Sequence, residues 1–129
     1  MRYIGIDYGT KKIGIALSEE EGRMAFPHSV VKNDDVFFPA LLALVRENHA
    51  AVVLGDSRDY KGNENPVATA IKELGAALIA EGVTVHYEPE WYTSKEAERL
   101  QGRNAMTDAA AATVLLNSYL TRIKNASAH

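Results

Sequence analysis

Acidic residues stand at the ends of several apolar runs in this chain. Asp7 closes "YIGID", Asp56 follows "AVVLG", Glu88 and Glu90 follow "VTVHY", and Asp108 opens "DAAAATVLL". Asp is a poor strand former and expensive to bury, so a carboxylate ending a buried strand needs a compensating partner. Carboxylates brought close together repel and raise one another's pKa unless a cation neutralises them. Mg²⁺ suits such a set, because it takes hard oxygen ligands, usually one or two carboxylates plus substrate phosphate. Two such ions about 4 Å apart can activate a water and stabilise the leaving oxygen of a phosphodiester. Most of these acids also have an ordinary reading. Asp108 suits a helix N-terminus through the macrodipole alone, Asp56 could make a turn, and Glu88 and Glu90 could be solvated loop acids. Asp7 is the hardest to explain without a metal.

The elements that must position these acids can be read from periodicity. Strands are expected over 2–8, 13–18 and 24–31, joined by the turns "YGTKK" and "EEEGR" into an antiparallel meander, with Gly9 supplying a permissive φ. The period then changes to that of a helix, with Phe37, Leu41, Leu44 and Val45 on one face, Asn33 or Asp34 as N-cap, and Pro39 in the first turn. A buried strand is expected over 50–54, and a helix opened by Asn65 and Pro66 reaches Ala80. A further strand spans 83–87. The capping box Thr93-Ser94-Lys95-Glu96 opens a short helix to Leu100, and Thr107 caps a last helix from Asp108 to Ile123. Strands alternating with helices should be parallel and joined by right-handed crossovers. The expected fold class is therefore α/β, a mixed five-stranded sheet flanked by helices, in which a three-strand antiparallel meander is extended by two parallel strands. Residues 1–123 form one domain in this reading, and 124–129 are a frayed tail. In such a sheet, ligands bind beyond the carboxyl ends of the parallel strands, where all of these acids fall.

Composition narrows the function classes. The chain has 129 residues, 47% hydrophobic and 24% charged, in the range of an ordinary single domain. It has no cysteine, which excludes a thiolate metal site and suits a cytoplasmic location. His28, His49, His86 and His129 show no zinc-enzyme spacing. No apolar run is long enough to span a bilayer, the N-terminus lacks signal-peptide features, and there is no Walker A sequence. The formal net charge is −3, so binding of nucleic acid must rely on a local basic patch. Lys11, Lys12, Arg58, Lys61, Lys95, Arg99 and Arg103 fall in loops or helix starts on the same expected edge as the acids and could form it. Trp91 and Tyr92 could stack on an unpaired base.

The stretch "IGIDYGTKKIGIALS" resembles the first strand-turn-strand of the YqgF family, also called RuvX. "VVLGDSRDYKGNENP" is similar to the family segment ending in Gly-x-x-Pro, with Gly55, Gly62, Glu64 and Pro66 in register. "PEWYTSKEAERL" resembles its Asp-Glu-Arg-x-(Ser/Thr)-(Thr/Ser)-x-x-Ala box at Glu90, Thr93, Ser94 and Ala97, and "TDAAAATVLLNSYL" resembles its last helix with Asp108 in the acidic position. The chain departs from the pattern at Pro89 and Trp91, which replace the Asp and Arg of the box, at Asp56-Ser57, which replaces a Leu-Pro, and in a short linker, "QGRNAM".

The resemblance implies an RNase H-like fold and a hydrolase acting on phosphodiester bonds. Its implied catalytic and metal-binding trio is Asp7, Glu90 and Asp108, with Asp56 or Glu88 as an alternative or additional acid. It implies a Mg²⁺ cofactor, which Mn²⁺ could replace. The implied substrate is structured RNA, in 5′-end processing of precursor 16S rRNA during ribosome biogenesis. Holliday junction cleavage is the alternative enzyme activity, and a catalytically weak nucleic-acid-binding or ribosome-assembly module is the alternative of another class. A monomer or a homodimer fits, without a membrane partner.

Overall fold

Strict alternation in the first strand sends its side chains to two different cores. The computed structural model describes residues 1–56, 66–89 and 106–127, without the side chains of 56, 66, 89, 106–108, 126 and 127. In chain order the elements are β1 (Tyr3–Tyr8), β2 (Lys12–Ser18), β3 (Ala25–Lys32), α1 (Phe37–Asn48), β4 (Ala51–Asp56), α2 (Pro66–Ala80), β5 (Val85–Pro89) and α3 (Met106–Ser127). The five strands form one sheet in the order β3-β2-β1-β4-β5. β1 pairs antiparallel with β2, and β2 with β3, whereas β1–β4 and β4–β5 are parallel. This is the expected meander extended by two parallel strands.

One face of the sheet carries Ile4, Ile6, Ile13, Ile15, Val52 and Leu54, which pack against Phe37, Leu41 and Val45 of α1 and Ile71, Leu74 and Leu78 of α2. The other face carries Ala16, Ala25 and Val53 against Ala112, Leu116, Tyr119 and Leu120 of α3. The unbroken apolar run in β4 is explained by this arrangement, since residues 51–54 are fully buried between the two layers.

Gly5 sets the spacing between β1 and α3. A Cβ at Gly5 would lie 2.8 Å from Leu116 Cβ and 3.1 Å from the Ala112 carbonyl oxygen. Neither atom can rotate away without moving the helix. Gly5→Ala is therefore predicted to cost about 1–3 kcal/mol, as overpacking does, read as a lower midpoint in urea unfolding. An unchanged midpoint would show that α3 adjusts freely.

Several boundaries differ from the expected ones. β5 begins at Val85 rather than Val83. Val83 instead closes α2: its N–H donates to the Leu78 carbonyl at 3.0 Å, and the N–H of Gly82 (φ 82°) donates to Ile79 at 2.9 Å. This left-handed cap satisfies carbonyls that the helix end would otherwise leave open. α1 ends the same way, with His49 in the left-handed region. Neither Asn33 nor Asp34 caps α1, whose N-cap is Val36 with no side-chain cap. Asp34 accepts from the Val36 N–H at 3.0 Å one turn earlier, and the Asn33 amide donates to the Gly9 carbonyl at 2.9 Å. Gly9 does not have a positive φ. It is needed because a Cβ there would collide with the Lys12 carbonyl across the turn. α3 starts at Met106, so Thr107 and Asp108 lie inside its first turn, and it runs beyond Ile123 to Ser127. The expected helix after Thr93 lies outside the described residues.

Candidate functional site

Asp7 is the penultimate residue of β1 and is partly buried. Tyr3, Gly5 and Asp7 alternate with Ile4 and Ile6, so they belong to the face that α3 covers. Contacts along that face give the direction of the helix. The Tyr3 and Tyr119 rings lie 5.7 Å apart, whereas Gly5 faces Leu116 and Ala112. Moving up β1 thus moves back along α3. Asp7 is one alternation beyond Gly5, and residue 108 is one helical turn before Ala112, so the two backbone positions fall at the same end of the sheet. Directly opposite Asp7 on β2 stands Gly14, which carries no side chain. Asp7 has contacts of its own in the folded chain.

Lys11 in the turn after β1 and Lys12 at the start of β2 are both exposed, so two members of the expected basic patch follow Asp7 closely in the chain. Asp56 ends β4 and pairs with Pro89 in register. Glu90, Arg58, Lys61, Lys95, Arg99, Arg103, Trp91 and Tyr92 lie outside the described residues. Among the described residues, no group of three His, Cys, Asp or Glu gathers as a metal site. An Asp carboxylate is a hard oxygen donor of the kind that Mg²⁺ takes, and Asp7 presents one near the end of a strand.

Glu88 has a different environment. It is only 3% exposed, yet it sits at the edge of the sheet. Its Oε1 accepts from Arg122 Nε at 3.0 Å and Nη2 at 2.5 Å, and its Oε2 accepts from Ser118 Oγ at 2.9 Å. Both carboxylate oxygens are engaged by α3, which meets the rule that a buried charge is paired and hydrogen-bonded. The Arg122 guanidinium also lies 5.5 Å from the centre of the Tyr119 ring, which stacks on His86 at 5.2 Å. Burial, reinforced by Tyr3, pushes the Tyr119 hydroxyl above the ordinary tyrosine value, although Arg122 pulls it back. The sequence reading missed Ser118 and Arg122. Their spacing of four on one helix was the available signal, but nothing in it identifies Glu88 as the partner.

Among the described residues, no helix is long and apolar enough to cross a membrane. A family model described as "RuvX: Holliday junction resolvase" matches residues 1–122. The chain is 34% identical over 132 residues to the "Putative pre-16S rRNA nuclease" of Oleidesulfovibrio alaskensis, covering 93% of this chain and 92% of that one. It is 33% identical over 135 residues to the protein of the same name from Moorella thermoacetica, covering 95% and 96%. Among solved structures it is similar to T. thermophilus RuvC in complex with a Holliday junction substrate (TM-score 0.61, 17% identity, 95% of this chain and 96% of that one). It is also similar to the Fowlpox virus resolvase in complex with Holliday junction DNA (TM-score 0.62, 15% identity, 95% and 99%). At those identities the likeness concerns the fold, and it makes the sheet and its helices RNase H-like. The family match runs over residues 1–122 and takes in all five strands, and on that ground the chain belongs to the RuvX family.

Proposed function

We propose that this protein is a metal-dependent endonuclease that hydrolyses phosphodiesters in structured RNA, acting at the 5′ end of precursor 16S rRNA in the cytoplasm. The observation that carries this reading is the placement of Asp7, a partly buried carboxylate on the α3 face of a central strand, at the end of the sheet where α3 brings position 108. The names of the relatives at 33–34% identity support the choice of precursor rRNA.

Asp7, Asp108 and Glu90 would hold Mg²⁺ or Mn²⁺, with Asp56 as an additional acid. A divalent ion supplies activation of an attacking water and neutralisation of charge on the phosphate. Asp7 contributes a carboxylate on a strand whose backbone is paired with Gly14 of β2 at that position and with β4 up to Ile6, so its main chain needs little ordering when the ion arrives. Lys11 and Lys12 contribute a cationic rim for the phosphate backbone, which should make binding strongly salt-dependent.

The test is cleavage of a precursor 16S rRNA fragment beside a four-way DNA junction, with and without Mg²⁺. Metal-dependent cutting of the RNA alone supports the reading. Cutting of the junction alone would make it a Holliday junction resolvase, and binding without cutting of either would make it a ribosome-assembly module.

A further inference from the structure

Apolar packing joins α3 to the sheet through small and large residues together. Ala112 and Leu116 rest over Gly5, and Ala16 and Ala25 lie on the sheet side of the same cluster. Leu116, Tyr119 and Leu120 supply the larger side chains on the helix side, packed with Val53 and Tyr3 of the sheet. Polar contacts fasten α3 further, at both edges of the sheet. At the β3 edge, Asn117 Oδ1 accepts from the Ala25 N–H at 2.9 Å. At the β5 edge, the Glu88 carboxylate takes Ser118 on one oxygen and both Arg122 donors on the other.

We infer that Glu88 is a positioning residue rather than a metal ligand: through Ser118 and Arg122 it sets α3 on the sheet and so holds residue 108 at the level of Asp7. The consequence for the site rests on the proposed metal-dependent function. Ser118 is separated from residue 108 by roughly 15 Å of helix at 1.5 Å per residue. A small rotation at the fastening is therefore magnified at the acidic end. Reacting groups tolerate little misplacement, and loss of a group that orients a ligand typically costs about 10–100-fold in metal affinity or activity.

Glu88→Gln keeps an acceptor for Ser118 but removes the charge that holds Arg122. Well below its melting temperature, this variant is expected to bind Mn²⁺ about tenfold more weakly, measured by the loss of the free-ion paramagnetic resonance signal. Its kcat on precursor rRNA should fall by about the same factor with KM unchanged. Arg122→Ala should do likewise, and Arg122→Lys should recover part of both losses. A folded Glu88→Gln protein with the parent's Mn²⁺ affinity and kcat would show that the clamp serves stability only. Loss of Mn²⁺ binding as complete as in Asp7→Asn would show that Glu88 is a ligand, which also overturns the inference.

Helix placement can be read without metal or substrate. The chain has no cysteine, so spin labels can be placed at exposed Lys32 and Ala110 by Lys32→Cys and Ala110→Cys. The inter-label distance distribution should be narrow in the parent and broadened or shifted by Glu88→Gln. An unchanged distribution overturns the positioning role. A parent that neither binds Mn²⁺ nor cuts nucleic acid defeats the proposed function instead, and the spin-label distances still decide the clamp.

Discussion

Asp7→Asn is expected to abolish Mg²⁺-dependent cleavage while leaving the protein folded. The substitution preserves size, shape and one acceptor oxygen, and β1 is held by ladders on both sides, so the strand should persist. What it removes is the negative charge on a hard oxygen donor at the carboxyl end of a central strand. The loss should exceed the roughly 10–100-fold typical of groups that merely support a ligand. Ion binding gives a second readout. A site that binds only the native state stabilises it by about 2.7 kcal/mol at a hundred times Kd. Mg²⁺ should therefore raise the melting temperature of the parent and raise that of Asp7→Asn much less. A mutant that melts low and still responds fully to Mg²⁺ would make Asp7 a structural residue.

Leu116→Ala should have the largest effect on stability. Leu116 is completely buried and meets Gly5 on β1, where no side chain can expand into the space left behind. Truncating a buried Leu costs about 2–5 kcal/mol, and the upper part of that range applies where the surroundings cannot collapse. For a chain of this size the melting temperature should drop by about 10 °C or more. Because α3 also carries Asp108, cleavage should fall at temperatures where the mutant remains folded. Loss of stability with full activity would mean that the acidic end of α3 is held independently of its middle.

Much of this architecture is legible in the residues. The run of β-formers closed by Asp7 predicts the first strand, and the unbroken run in β4 predicts burial on both sides. The helix ends were less legible because their caps are made by the backbone. Val83 looks like strand sequence, yet its N–H returns to Leu78 to close α2. His49 adopts a left-handed conformation that its residue type does not announce. Asn33 and Asp34 are good capping types, but Asn33 reaches back to Gly9 in the β1–β2 turn and Asp34 is used in the turn before the helix. At the site, Asp7 stood out because a carboxylate at the end of an apolar strand has few ordinary explanations. Glu88 did not, because its role depends on Ser118 and Arg122 thirty or more residues away, and pairing across that distance leaves no local pattern.

The most direct measurement is cleavage of a precursor 16S rRNA fragment by the parent and by Asp7→Asn, over a Mg²⁺ titration, with a four-way DNA junction as the competing substrate. A metal-ligand role for Asp7 predicts that the parent cuts the RNA only when Mg²⁺ is present and that Asp7→Asn, folded to the same extent, does not cut it at any Mg²⁺ concentration. Cleavage by Asp7→Asn at the parent's rate would contradict it.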